Sequence, residues 1–356
     1  MKIGFDPINK QDAYIDIVKR IFEDLGCEVV DFNSEALCAH PTIDAAYLNW
    51  FENMPHGKWH KNVLSFAKRL LILGWLKYKK IPIIYVAHNL ALHNSNGARF
   101  ADTLIRLCLK NAAVVGQTVS CTKTMFLEKR NIRIPDTVKC MLLSIPNYEV
   151  EDVYRPNTDI LQDGHRLKVL NFGMVRPYKN IEAIIELAKR FPQIDFRVVG
   201  NAALDYGEEL LRKADGVENI TFLFKYVSDE ELNEEILNCD LVLLPYHKES
   251  MLNSGALRHA SILGRSVVCP IIGNSYELNH DGYYFYDYAS DAQHLEQLTE
   301  CFQRIAADFA ADPAEIARKG ENARTQHLEK YNYERVKANY AEVLEAVGSE
   351  LRVGKI

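Results

Sequence analysis

Asn171-Phe172-Gly173-Met174-Val175-Arg176-Pro177-Tyr178-Lys179-Asn180 joins an apolar strand to the first turn of a helix. Before it, Lys168–Phe172 reads as a strand; after it, Asn180–Phe191 reads as a helix and Phe196–Val199 as a strand again. Strand, turn, helix and strand in that order make a βαβ unit, the building block of a parallel sheet. Gly173 permits a tight turn. Arg176 and Lys179 bring positive charge, and a helix starting near Asn180 adds unpaired amides and the positive end of its dipole, so an anion is favoured here. An ordinary βα turn fits the same residues, and this motif alone does not choose between the two.

The pattern repeats outward from this point. Downstream come Tyr206–Lys213, Ile220–Phe224, Asp229–Asn238, Leu241–Leu244, Ser254–Leu263 and Ser266–Cys269, alternating helix and strand, then a helical tail beyond Asp291 that ends in Tyr333–Val347. A second place suited to an oxyanion is Asn253-Ser254-Gly255-Ala256, where small residues let backbone amides approach closely at a helix start. Neither motif is G-x-G-x-x-G or a Walker loop. Upstream, the polar stretch 157–165 reads as a linker. Before it lie strands at Lys2–Phe5, Cys27–Phe32, Ala45–Asn49, Ile81–Ala87, Ala112–Val115 and Lys139–Ser144. Helices near Gln11–Leu25, Trp59–Tyr78, Arg99–Lys110 and Thr122–Lys129 separate them. The expected fold is α/β: two Rossmann-like, doubly wound domains facing a cleft, with ligands at the carboxyl ends of the strands.

A chain of 356 residues suits two such domains. Hydrophobic residues at 48% and charged residues at 25% exclude a disordered chain. No stretch reaches the roughly 20 apolar residues of a spanning helix, since Lys68 and Arg69 break the best candidate. Met1-Lys2-Ile3-Gly4-Phe5-Asp6 reads as a strand, so no secretory leader is expected. The eight cysteines form no C-x-x-C pair, which fits a reducing cytoplasm and argues against a disulfide framework. Net charge is −6, unevenly placed: residues 1–150 hold 19 Lys and Arg against 14 Asp and Glu. Between Glu52 and Asp102 there are eight bases and no acid. Such a basic half suits an anionic substrate, a nucleic acid, an acidic membrane surface or a merely solvated helix.

Leu170 to Arg190, then Val198-Val199-Gly200, then Leu241 to Pro270 together resemble the donor-binding domain of GT-B glycosyltransferases, in particular the GT4 family of bacterial polysaccharide synthesis. The resemblance implies that Arg176 and Lys179 bind the diphosphate of a UDP- or GDP-linked sugar. Gly173, Gly200, Asn253, Ser254, Gly255 and Ala256 then line the donor site. It places Tyr226 and Val227 beside the nucleobase and carries the C-terminal helix back onto the first domain. It implies no metal, because basic side chains and helix ends neutralise the leaving diphosphate. The chain also departs from the family pattern. Two glutamates are usual at the positions of Met251 and His259, and Glu249 lies two residues out of register. Retention or inversion stays open.

In the first domain the resemblance puts His88 against the donor sugar, and His93 and Asn94, which follow in the same loop, are candidates to reach the acceptor. Glu52 and Asp6, each just past a strand end, are candidates for the base that accepts the acceptor's proton, although each also suits a cap or a surface position. His56, His60, His88 and His93 lack the cysteine or paired acids of a zinc site. Helix 59–80 mixes six bases with Val63, Phe66, Leu70, Leu71 and Leu73, which are expected to pack on the sheet, while segment 58–80 meets anionic lipid. The expected domains are 1–155, 166–327 and a returning helix at 328–356. The expected protein is a cytoplasmic hexosyltransferase, either free or at the inner face of the membrane, acting in cell-surface polysaccharide synthesis on a saccharide or lipid-linked saccharide, without cofactor, metal or nucleic acid. An epimerase or phosphorylase of the same fold is the nearest rival, and a nucleic-acid-binding protein is a remote one because no recognition module is present.

Overall fold

Apolar runs of four or five residues set between helices are what a sheet buried on both faces requires. The computed structural model describes residues 1–7, 12–32, 42–55, 59–88, 97–248 and 251–353. It divides into two units, Met1–Pro146 with Tyr331–Ile356, and Asn147–Lys330.

The first unit runs β1 (Lys2–Asp6), α1 (Ala13–Asp24), β2 (Glu28–Asp31), β3 (Ala45–Asn49), α2 (Trp59–Tyr78), β4 (Ile83–Ala87), α3 (Ala98–Asn111), β5 (Val114–Gln117), α4 (Thr122–Arg130) and β6 (Lys139–Leu142). Its strands form one parallel sheet in the order β2-β1-β3-β4-β5-β6. β3 and β4 are buried along their whole length, which explains why they read as unbroken apolar runs. The Asp12 carboxylate caps α1 by accepting from the amide of Tyr14, and Gly26, at φ 76°, releases the chain into β2.

The second unit runs β7 (Lys168–Phe172), α5 (Ile181–Arg190), β8 (Asp195–Val199), α6 (Leu204–Lys213), β9 (Ile220–Leu223), α7 (Asp229–Leu237), β10 (Leu241–Leu243), α8 (Gly255–Ile262), β11 (Ser266–Pro270), β12 (Tyr283–Tyr286), α9 (Asp291–Ala311) and α10 (Pro313–Lys330). Its sheet is also parallel, in the order β12-β11-β10-β7-β8-β9. The last helix, α11 (Tyr333–Val353), belongs to the first unit, where Tyr340 is buried against the rings of Phe22 and Tyr47.

Several expectations need correction. Stretch 157–165 is not a linker: Ile160 is part of the second core, and the Asp240 carboxylate accepts from Asn157 (3.0 Å), His165 (2.7 Å) and the amide of Lys168 (2.7 Å). The second unit therefore begins at Asn147 rather than 166 and ends at Lys330 rather than 327. β12 was not foreseen. Leu70 and Leu71 on α2 face solvent instead of the sheet.

Candidate active site

A doubly wound sheet opens a crevice where neighbouring strands send their connections to opposite faces, and ligands bind there. In the second unit that point lies between β7 and β10, whose main-chain pairing stops at Val169–Leu241 and Leu170–Val242. One residue further, the Asn171 side chain takes over, donating to the carbonyl of Leu243 at 2.7 Å. The crevice thus opens at the two motifs singled out in the sequence.

Gly173, at φ 95°, turns the chain out of β7. Gly200, at φ 148°, lets β8 come so close that a Cβ there would lie 2.0 Å from the Gly173 carbonyl oxygen. Pro177–Lys179 forms a single 3-10 turn, and Asn180 enters α5 in the left-handed conformation, its amide donating to Nδ1 of His294 at 3.3 Å. Lys179 is buried here rather than exposed in a loop. Its Nζ donates to the carbonyl of Phe172 at 2.9 Å and lies 6.0 Å from the centre of the Tyr246 ring. Burial pulls its pKa down to about 8. Arg176 is partly exposed, and among the described residues its guanidinium has no hydrogen-bond partner.

Tyr246 links this turn to the second motif, its hydroxyl lying 3.0 Å from Oγ of Ser254. That Oγ caps α8 by accepting from the amide of Leu257 at 3.1 Å, so Ser254 acts as a buried cap rather than a free hydroxyl. The amides of Gly255 and Ala256, in the first turn, have no partner within the helix. A Cβ at 255 would stand 2.8 Å from the Tyr148 hydroxyl, which explains a glycine there. Nδ2 of Asn253 is buried and has no partner among the described residues. His259 occupies one position where the family pattern has a glutamate. Its Nε2 donates to Oδ1 of Asn233 at 2.6 Å, its ring lies beside Tyr148 and Phe172, and burial lowers its pKa to about 4. His259 is therefore neutral near pH 7 and supplies no anionic substitute.

Tyr226 is exposed, and Val227 lines a cavity of about 840 Å³ along β8, β9 and α7. That cavity also holds Glu230, Glu231, Glu234 and Glu235, with Arg197 closed onto Glu235 by bonds of 2.6 and 2.7 Å. Its acidity does not suit a diphosphate, so its size does not mark the reaction site.

In the first unit the corresponding point lies between β1 and β3, beside Asp6 and the loop after Asn49. Asp6 is partly exposed. Burial raises its pKa to about 6 against the pull of Arg69, with Asp31 adding to the rise. Arg69 is fixed on that loop, donating to the carbonyls of Phe51 (2.7 Å) and Asn53 (2.8 Å). Glu52 is fully buried, accepts from the Tyr85 hydroxyl at 3.0 Å and is held above the ordinary carboxylate pKa by burial. Nothing in this geometry supports its expected role as base, since the carboxylate is closed in beside Tyr85. The sequence reading does not mark Asn49: it is buried, and among the described residues neither its Oδ1 nor its Nδ2 has a partner. The signal was a polar residue ending a wholly buried strand.

His88 is buried at the end of β4. Its Nε2 lies 3.3 Å from the Tyr14 hydroxyl, and the Trp50 ring, brought over by a φ of 51°, lies 4.9 Å away. His93 and Asn94 lie outside the described residues, as do Asn89, His56 and Glu249. Among the described residues no three His, Cys, Asp or Glu side chains stand close enough to hold a metal ion, and no helix is long and apolar enough to cross a membrane.

Two parallel six-stranded units, the second with a buried cation and a helix start at its crevice, constitute a GT-B fold. Comparison with known proteins is more particular: residues 158–251 match the family described as Glycosyl transferases group 1. A GDP-mannose:glycolipid 4-beta-D-mannosyltransferase of Xanthomonas campestris pv. campestris is 29% identical over 245 residues, covering 64% of this chain and 61% of that one. The chain thus spans 61% of the length of the curated relatives it matches. Among solved structures, Anabaena HepE in complex with UDP superposes with a TM-score of 0.69 at 18% identity, over 97% of this chain and 100% of its own. Sucrose-phosphate synthase of Thermosynechococcus elongatus gives 0.72 at 14% identity, over 98% and 96%. Those identities speak for the fold alone.

Proposed function

We propose that this protein is a glycosyltransferase that moves a hexosyl group from a nucleoside-diphosphate sugar to a lipid-linked saccharide at a membrane surface, where segment 58–80 makes peripheral contact. One observation carries the reading. Among the described residues Lys179 spends a single N–H, on Phe172, and is otherwise buried, at the crevice where α8 presents the amides of Gly255 and Ala256. A buried ammonium with donors to spare suits an anion brought by substrate.

In this reading the second unit takes the donor. The diphosphate meets Lys179, Arg176 and the start of α8, while Gly173 and Gly200 keep side chains out of its way and Tyr226 and Val227 border the base. The acceptor oxygen attacks the anomeric carbon, the bond to the diphosphate breaks, and the charge gathering there is stabilised by cations already in place. No metal is needed for that. Asp6 takes the acceptor's proton, and His88 holds the sugar. The name of the Xanthomonas relative supports mannose carried by GDP and a β-linked product. A single displacement on an α-linked donor gives that stereochemistry, and one base suffices for it.

Thermal unfolding with GDP, UDP and ADP, followed by transfer from radiolabelled GDP-mannose and UDP-glucose to a glycolipid acceptor, tests the proposal. A ligand that binds only the folded chain raises its melting temperature. No rise with any nucleoside diphosphate would sink the reading.

A further inference from the structure

Helix α2 carries apolar residues on two faces. On one side Asn62, Ile72, Leu73 and Leu76 are buried, and the Phe66 ring lies 5.0 Å from that of Phe100 on α3. The other side is open: Leu64, Leu71 and Tyr78 are 61%, 70% and 81% exposed. Seven-residue spacing keeps these three within about 40° of one another and spreads them over about 21 Å of helix. Exposed Ala67 and Gly74 lie between them, so no charge interrupts the stripe. Lys61 and Lys68 flank it within about 60° on one side, and Lys77 lies about 100° further round on the other, with Lys79 and Lys80 just beyond the helix end.

A helix on a soluble surface normally turns charge outward and apolar residues inward. Here the middle of the outer face is apolar and its margins are cationic. A helix lying in a membrane interface has this arrangement, leucines among the acyl chains and lysine stems reaching up to lipid phosphates. A second copy of the chain is a poorer occupant, because two such stripes would bring their lysines together. The complete lack of acid from residue 53 to 101 calls for a negative surface instead.

We infer that the exposed face of α2 docks the protein on an anionic bilayer, with Leu64, Leu71 and Tyr78 entering the headgroup layer and Lys61, Lys68 and Lys77 pairing with lipid phosphates. This rests on the reading of a lipid-linked acceptor and names the face that meets the membrane holding it. The two parts of the contact respond differently to salt. Ion pairing fades within a Debye length of about 8 Å at physiological ionic strength, whereas apolar insertion does not.

Cosedimentation of the full chain with phosphatidylcholine vesicles, with and without phosphatidylglycerol, tests the inference. The wild type should partition onto the anionic vesicles and keep a measurable share of that binding in high salt. Leu64→Ser/Leu71→Ser should lower partitioning about tenfold or more at every salt concentration, since each change removes a side chain from the apolar layer. Lys61→Gln/Lys68→Gln/Lys77→Gln should lower low-salt partitioning by about 100-fold, near fivefold for each charge. All five residues are exposed, so both variants should melt like the wild type. Wild-type binding by the leucine variant would overturn the inference, as would no binding of the wild type at low salt. So would a dimer in sedimentation equilibrium that the leucine changes abolish, because the face would then belong to a second copy. Vesicle binding does not depend on catalysis. If no nucleoside diphosphate stabilises these proteins, the enzymatic reading fails while the docking result stands.

Discussion

The Nζ of Lys179 donates to the carbonyl of Phe172 at 2.9 Å, closing a turn over the end of β7. The ammonium is buried there and, among the described residues, met by no carboxylate, so it costs stability in the empty protein and is relieved when an anion arrives. Lys179→Met should therefore melt at or above the wild-type temperature while losing nucleoside diphosphate binding. Lys179→Ala should lower kcat by about 10²- to 10³-fold, as expected for one preorganised stabilising group. Calorimetry and transfer assays on the two variants check both halves. Arg176→Ala should lose more in donor affinity, and Arg176→Lys should regain only part of it, since an ammonium does not reproduce the guanidinium fork.

The pH dependence should be bell-shaped. Lys179 titrates near 10.5 unfolded and about 8 folded, so the folded state holds this proton less tightly. Its destabilising effect is full below about pH 8 and fades as the pH rises towards 10.5. Donor binding should weaken above about pH 8, and the diphosphate should bind there with proton uptake, measurable by titration calorimetry in buffers of different ionisation enthalpy. On the acid side, Asp6 moves from 3.8 to about 6. Stability from this group is fully present below 3.8 and is lost as the pH rises through 6, whereas its activity as a base requires the deprotonated form. kcat/KM should therefore climb through about pH 6, and Asp6→Asn should remove that limb together with most of the rate. Glu52→Gln should leave the limb in place. If the acid limb followed Glu52 instead, the base would be misassigned.

Asn49→Leu should separate stability from function. Both polar atoms of this buried amide lack partners among the described residues, so a leucine of similar size should be neutral or stabilising, as when an unsatisfied polar group is removed. Acceptor use should suffer, with KM for the saccharide rising. A drop in melting temperature with unchanged kinetics would mean that Asn49 serves the fold alone.

Gly200→Ala is expected to damage the donor turn. Its φ of 148° and the 2.0 Å approach of the Gly173 carbonyl leave no room for a methyl, and backbone strain of about 1–3 kcal/mol should follow. Denaturant unfolding should show the loss, and donor affinity should fall with it. Gly74→Ala, in the open on α2, should do neither.

Transfer should persist in EDTA, because Lys179, Arg176 and the α8 start are the proposed counter-charges. Full loss on chelation and recovery with Mn²⁺ would move the leaving-group role to a metal.

Much of this was legible in the sequence because it rests on local pattern. β3, β4 and β7 are short apolar runs bounded by turns, and α2 ends where its spacing says it should. β12 was not, since Tyr283-Tyr284-Phe285-Tyr286 neither alternates nor follows a helix, and only its pairing with β11 makes it a strand. Leu71 carries the same apolar signal as its buried neighbours Ile72 and Leu73, and tertiary packing alone decides which of them meets water. Arg176 and Lys179 were recognisable as charges beside a turn, but burial of Lys179 depends on where a carbonyl seven residues away points. Glu52 and Asp6 looked alike in the sequence; Tyr85, from another strand, separates them.

Tyr340 completes the packing around Tyr47, their hydroxyls 3.4 Å apart across 293 residues of chain. The intervening second unit contains its whole sheet between Asn147 and Lys330 and so has every partner it needs before Tyr331 is synthesised. Vectorial synthesis therefore inverts the order of the units: the one begun first is the last to be sealed. Until α11 emerges, Phe22 and Tyr47 keep an open apolar face, and a nascent chain stalled before residue 331 should be held by chaperones through its amino-terminal half while its later half already resists protease.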